Sequence, residues 1–190
     1  MATIGLSKPY YAVYNNVGST VTYTNGGVMG KAVEMSIEPE TTDDSNLYAD
    51  NGIAESVRVF SGGSGSITTD HLTIDLYKAL WGATEVEDGE MIFDDNQNAP
   101  YLGIGFIVKG QYNNKQVWRS VILPKVMFSI PEEAATTQGE SIEWQTSGLP
   151  FTVMKDDTPT HVWKRIKDFE TEAAADAHIR KFLGNISDVA

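Results

Sequence analysis

The sequence contains no cysteine. That absence excludes disulfide bonds, thiolate nucleophiles and zinc sites with cysteine ligands. Residues 1–9 also lack the basic and apolar stretches of a secretory signal. We therefore expect the chain to be made and folded in a reducing cytoplasm, where disulfides are rare.

Long apolar runs are missing as well. None approaches the ~20 residues that an α-helix needs to cross a bilayer, so we expect no membrane association. The hydrophobic content of 41% is nevertheless high enough for a folded core, and 190 residues suit one domain spanning the whole chain.

Positive charge is scarce, because 14 Lys and Arg stand against 26 Asp and Glu and give a net charge of -12. A nucleic-acid reader needs a basic stripe to neutralise phosphates, so specific nucleic-acid binding is not expected. The signs are also unevenly placed: the charges in residues 34–55 and 85–95 are nearly all acidic, whereas residues 155–181 hold six of the fourteen basic side chains. Acidic and basic faces on one chain allow copies to meet head to tail.

Complete reactive motifs are absent too. The three histidines are far apart in sequence, and none has a metal ligand at the usual spacing. The glycine cluster at residues 62–65 lacks the Lys of a phosphate loop and is better explained as a hairpin tip. The calcium-like segment at residues 94–98 is incomplete, because Ala99 and Gly105 stand where glycine and glutamate are required. We predict no catalytic residue, cofactor or metal and no enzymatic activity. One alternative stays open, a carbohydrate-binding module that uses Trp118, Trp144 or Trp163.

Alternating apolar and polar residues predict a mainly β protein, a β-sandwich or open barrel of about nine or ten strands. One flanking helix follows Asp70, its predicted N-cap, and ends at Gly82; a C-terminal helix spans residues 171–184, capped by Thr171. Residues 1–9 are predicted to be an N-terminal arm, and residues 38–52 a long acidic loop. Predicted strands and turns include a hairpin at Asn25-Gly26, strands at 33–37, 55–60, 66–69, 141–146, 150–155 and 161–169, and a long central hairpin at 102–123.

The acidic segment between the strands at 33–37 and 55–60 is the part of the chain with the most unusual composition. Connections of more than about 12 residues without secondary structure are usually functional or disordered. Leu47 and Tyr48 are apolar positions in its middle and suggest an anchor that packs against another surface.

Several segments carry a resemblance to a known family. They are Gly5-Leu6-Ser7-Lys8-Pro9-Tyr10-Tyr11-Ala12, the stretch from Val33-Glu34-Met35-Ser36-Ile37 through Asp43-Asp44-Ser45-Asn46-Leu47-Tyr48-Ala49-Asp50-Asn51 to the helix near Leu80, and Tyr101–Val108 with its return through Trp118 and Val121-Ile122-Leu123-Pro124-Lys125. This pattern resembles the major tail proteins of long-tailed phages of Gram-positive bacteria. The resemblance covers residues 1 to about 143 and then weakens.

The resemblance implies a virion tail-tube subunit, assembled in the host bacterial cytoplasm, that forms hexameric rings stacked around a tape-measure protein. Its partners would be copies of itself, the tape-measure protein and the tail terminator and baseplate proteins, and DNA would pass through the lumen without specific binding. The long loop would reach neighbouring subunits. Its predicted assembly residues are Glu38, Asp43, Asp44, Asn46, Leu47, Tyr48 and Asp50.

A DNA passage is expected to be polar and mostly negative, so that phosphates are not captured. Glu34, Ser36, Ser56 and Arg58 lie on the polar faces of the two strands expected to line it, with Arg58 the exception in charge. Another phage structural role, as a head-tail connector or a capsid decoration protein, fits the same composition and remains an alternative.

Overall fold

The computed structural model describes residues 2–43, 45–50, 52–86, 89–95, 97–132, 137, 146 and 148–187. Within them the chain forms twelve strands and two helices, and the fold is mainly β as predicted. In chain order they are β1 (Ala2–Val17), β2 (Thr20–Val28), β3 (Ala32–Thr41), β4 (Ser45–Ala49), β5 (Gly52–Val57), β6 (Phe60–Thr69), α1 (Ile74–Trp81), β7 (Thr84–Glu85), β8 (Met91–Ile92), β9 (Leu102–Tyr112), β10 (Lys115–Phe128), β11 (Gly148–Met154), β12 (Arg165–Phe169) and α2 (Glu172–Phe182).

Eight strands form one antiparallel sheet in the order β2-β1-β9-β10-β11-β6-β3, with β12 paired beside β10. The long strand β10 joins the two halves. Its first part pairs with β9 and β12, and after an irregularity between Leu123 and Val126 its last residues pair with β11. Such a break bends a strand and increases its twist. The sheet therefore curls into an open sandwich, which brings β1 near β3.

Two apolar cores lie on opposite faces of β9 and β10. The inner core includes Ile104, Leu123 and Phe128 and is closed by α1 and by strands β6 and β11. The outer core is formed where Ala175, Ile179 and Leu183 of α2 cover Ile107 and Ile122. Because β9 is covered on both faces, all of its residues from Leu102 to Ile107 are buried, although large side chains alternate with glycine at its start.

Close packing explains two glycines in the strands. A Cβ on Gly105 would lie 2.5 Å from Cγ2 of Ile179, so glycine lets α2 approach the sheet. A Cβ on Gly65 would lie 2.7 Å from the carbonyl oxygen of Ser36. The glycine cluster at 62–65 is thus part of β6, paired on both sides, and the predicted hairpin tip there was wrong.

Both predicted helices are present. Thr171 caps α2 as expected by accepting a hydrogen bond from the Ala174 amide. The cap of α1 is Thr73 instead of Asp70, although Gly82 ends the helix as predicted. Asp70 instead accepts a hydrogen bond from the Lys31 amide at 2.8 Å, which ties the start of β3 to the end of β6.

Other boundaries also differ from the predictions. Residues 2–9 are not a free arm, because they form the first half of β1 and pair with β9. Asn25 and Gly26 lie inside β2, and the chain turns earlier, at Gly18-Ser19. The last strand begins at Arg165 rather than at residue 161. The predicted strand at 141–146 lies outside the described residues except for its last position.

Candidate assembly surface

The predicted acidic loop is largely a β-hairpin. After β3 ends, β4 and β5 pair antiparallel, with Ala49 opposite Gly52 across a tight turn. Asp50 in this turn has φ 51°, a conformation that Asp and Asn tolerate better than other side chains. The prediction of a structureless segment was therefore wrong. The Asp-Asn-Gly sequence at 50–52 is the turn signal that points to the hairpin.

A short neck joins this hairpin to the body. Thr41 pairs with Phe60 at the end of the β3–β6 ladder. One residue further, the Thr42 amide donates to the Val59 carbonyl at 2.8 Å, and the Val59 amide donates to Oγ1 of Thr42 at 3.2 Å. Beyond the neck, β4 and β5 make more than marginal contact only with each other in the described part of the chain.

The hairpin carries apolar side chains that are largely exposed in the described structure. Leu47, Ile53 and Val57 are 61%, 58% and 56% exposed. Directly opposed residues share a face of a two-stranded sheet, so Leu47 and Glu55 lie together, and Val57 follows two residues after Glu55. A pairing irregularity between Leu47 and Tyr48 puts Ile53 on the other face. One face therefore carries two apolar side chains around a carboxylate.

The other predicted assembly residues lie on the hairpin, at its neck or on β3. Asn46 lies on β4 opposite Ser56, and Tyr48 is opposite Ile53. Asp43 is exposed at the neck, and Glu38 is exposed on β3 before it. Asp44 lies outside the described residues.

The four lumen-facing candidates do not lie on paired strands. Glu34 and Ser36 are exposed on β3, whose described partner is β6. Ser56 is on β5, and Arg58 lies in the connection between β5 and β6. The predicted strand at 55–60 is not continuous, because β5 ends at Val57 and β6 begins at Phe60.

Sequence reasoning missed a cleft at the open side of the sandwich. Its volume is about 530 Å³, and it lies between the start of β1, the start of β3 and the face of β9, β10 and β12. Its apolar lining includes Leu6, Met35, Ile37, Phe106, Val108, Val121 and Ile166. Arg119, Lys164 and Glu34 supply its charged groups.

The two cations of the cleft differ in their pairing. Arg119 donates to both carboxylate oxygens of Asp168, at 2.6 and 2.8 Å, and this contact raises the pKa of Arg119 and lowers the pKa of Asp168. Lys164 has no carboxylate within 4.0 Å among the described residues, Glu34 included. Burial, and then the charge of Arg119, lower the pKa of Lys164. In the described part of the chain, Lys164 is therefore a half-buried cation without a contacting carboxylate.

Two acidic residues hold the loop that carries Lys164. Asp156 is buried and accepts hydrogen bonds from the Val162 amide at 2.8 Å and from Oγ1 of Thr158 at 2.6 Å. Asp157 accepts from Nζ of Lys125 and from the hydroxyl of Tyr14, both at 2.8 Å. The Lys125 contact, supported by Tyr14, lowers the pKa of Asp157 to about 2.

One pair of reactive side chains, Ser120 and His178, is in contact among the described residues. Oγ of Ser120 is 3.0 Å from Nδ1 of His178, but Ser120 is fully buried, so no substrate reaches its hydroxyl. Burial lowers the pKa of His178, with smaller effects from Lys167 and Arg165. The described residues contain no group of three or more His, Asp or Glu placed to hold a metal ion.

The tryptophans of the carbohydrate alternative are not brought together. Trp118 packs against the outer core, and Trp163 belongs with the inner core, where it stacks on Phe60 at 4.3 Å between ring centroids. Because these cores lie on opposite faces of the sheet, the two rings do not form one platform. Trp144 lies outside the described residues.

Comparison with protein-family profiles and with curated protein sequences finds no match to this chain. Neither α1 nor α2, the helices in the described part of the chain, has the length and apolar character needed to cross a bilayer.

Proposed function

We propose that this protein is a structural subunit that polymerises through stacked rings into the tail tube of a long-tailed phage. The projecting hairpin of residues 45–57 is the observation on which the proposal rests. An isolated two-stranded hairpin is at best marginally stable in water, yet this one carries exposed apolar residues and is not covered by other described parts of its own chain. A binding surface on a neighbouring copy supplies the missing contact.

The sheet edges support the same proposal. β3 pairs on one side with β6, β2 pairs on one side with β1, and no second partner is found among the described residues. Free edges are templates for pairing with another chain, and a closed multi-chain barrel removes them. Hexameric rings, the tape-measure protein and the tail terminator and baseplate proteins enter the proposal through the sequence resemblance.

The net charge of -12 fits a conduit for DNA. Like charges repel, so an acidic wall lets phosphates pass without capturing them. In this proposal Ser36, Ser56 and Arg58 face the lumen, whereas Glu34 lines the cleft, and DNA passes without specific binding.

Removing the hairpin tests the proposal directly. Because Thr42 and Val59 are already hydrogen-bonded at the neck, residues 43–58 can be replaced by Asn-Gly, a two-residue turn suited to antiparallel strands. We expect a folded monomer with nearly unchanged thermal stability that forms no tubes in negative-stain electron microscopy. The full chain at the same concentration is the control.

Tubes of normal length from the deleted chain would refute the proposal. Isolated rings of the full chain would instead favour a head-tail connector. Binding of the full chain to capsid shells would favour a decoration protein, since neither role needs indefinite stacking.

A further inference from the structure

The cleft and the exposed hairpin face have matching chemistry. The cleft has apolar walls around the cation of Lys164, with Arg119 and Glu34 also in its lining. The hairpin face has Leu47 and Val57 around the carboxylate of Glu55. Each surface exposes apolar side chains to water, and each carries a charged group, Lys164 or Glu55, that an opposite charge would stabilise. Placing one in the other would satisfy both.

We propose that the hairpin face formed by Leu47, Glu55 and Val57 docks into the cleft of a second copy, with Glu55 pairing with Lys164. This inference deepens the proposed function, on which it rests, by naming the receptor for the hairpin. It makes the contact head to tail, since each copy has one hairpin and one cleft, and such contacts generate rings or open filaments rather than closed dimers.

Charge complementarity extends beyond the single pair. The hairpin and its neck, residues 43–57, contain Asp43, Asp44, Asp50 and Glu55 and no Lys or Arg. The cleft lining holds two cations, Arg119 and Lys164, against one carboxylate, Glu34. Opposite potentials of this kind speed encounter and fix register between partners.

The geometry favours a second copy over the same chain. The cleft is lined by the start of β3, up to Ile37, and by no residue of the hairpin. Leu47 lies ten residues further along the chain, a span of up to roughly 30 Å for an extended segment. The neck extends the β3–β6 ladder in the same direction, so the hairpin leads away from its own cleft.

Charge reversal tests the pairing. We expect E55K and K164E each to weaken self-association by about tenfold or more, because like charges then meet in a half-buried site. The effect should diminish at high salt. The double variant E55K/K164E should recover association. The matched controls E40K and K167E reverse exposed charges outside the hairpin face and the cleft lining, and should change association little.

Mixing the two single variants tests whether the cleft is occupied by the hairpin of a second copy. In an equimolar mixture of the E55K and K164E proteins, each hairpin meets a cleft of opposite charge on the other protein, so association should return. Sedimentation velocity of the full-length proteins gives the readout. A double variant that recovers while the mixture does not would mean that the hairpin folds onto its own cleft, and would overturn docking between copies.

Failure of this inference can be told from failure of the proposed function. If the hairpin deletion abolishes tubes but the double variant does not recover association, the cleft is not the receptor while polymerisation through the hairpin stands. If K164E fails to fold, the variants E55Q, K164Q and E55Q/K164Q can be compared in a double-mutant cycle. Strictly additive effects of the two substitutions on association would overturn the pairing.

Discussion

The apolar part of the hairpin face allows a quantitative prediction. Leu47 and Val57 are 61% and 56% exposed, so more than half of each side chain is available for burial in an assembly. Fully burying such a side chain stabilises by about 1.5–3 kcal/mol. Threonine has one methyl group and the β-branched shape that strands favour, so each replacement removes apolar surface without lowering strand propensity. We therefore estimate a loss of about 1 kcal/mol of contact free energy per site.

The combined effect should be large enough to measure. A loss of about 2 kcal/mol raises the concentration needed for association by ~30-fold, since 1.4 kcal/mol corresponds to a factor of ten. The assay is the concentration of unpolymerised L47T/V57T protein that remains in the supernatant after sedimentation. The thermal midpoint of the monomer should stay nearly constant, because both side chains are exposed in the isolated chain.

Ile53 provides a matched control on the same hairpin. It is 58% exposed but lies on the opposite face, so I53T should leave the critical concentration close to that of the unmodified protein. An equal effect of I53T and V57T would refute the assignment of the binding face. No effect of L47T/V57T would refute the reasoning from exposed area altogether.

Two further predictions concern the body of the subunit. G105A should destabilise by about 1–3 kcal/mol because the added methyl meets Ile179, and I179A by about 2–5 kcal/mol through the cavity it leaves. The double variant, measured by urea denaturation, should be less destabilised than the sum, and strict additivity would contradict the contact. The pKa of Asp157 is lowered from 3.8 to about 2, chiefly by Lys125 and then Tyr14, so its contribution to stability is complete above pH 4 and lost as pH falls towards 2. D157N should therefore flatten the fall of the thermal midpoint across this interval, and an unchanged slope would show that the carboxylate is not held as described.

The predictions that succeeded depended on local patterns. Residues 102–123 alternate strongly enough to identify β9 and β10, and Gln111-Tyr112-Asn113-Asn114 marks the turn between them, where Asn113 and Asn114 have positive φ. The apolar spacing of α2 and its Thr171 cap likewise identify a helix without knowledge of its neighbours. Such signals involve only residues that are close together in the sequence.

The predictions that failed required knowledge of partners distant in sequence. The glycines of β6 look like a flexible tip until β3 and β11 are seen on both sides, where glycine permits close backbone approach. Residues 2–9 look like an arm because their apolar residues are few, yet β9 pairs with them. Residues 38–52 look like a loop because they are polar and acidic, yet β4 and the tight turn at Asp50 form a hairpin with β5.

The sequence by itself determined the strand-rich class, the two helices, the absence of cysteine chemistry and the separation of acidic from basic segments, because these follow from composition and short-range periodicity. Only the tertiary structure decided which strands pair, that the acidic segment projects as a hairpin, and that Lys164 enters an apolar cleft beside Arg119. The physical reason is that a cleft is made by strands far apart in the chain. The curl of the sheet at β10 brings β1, β3 and β12 to one opening, and no local pattern encodes that convergence.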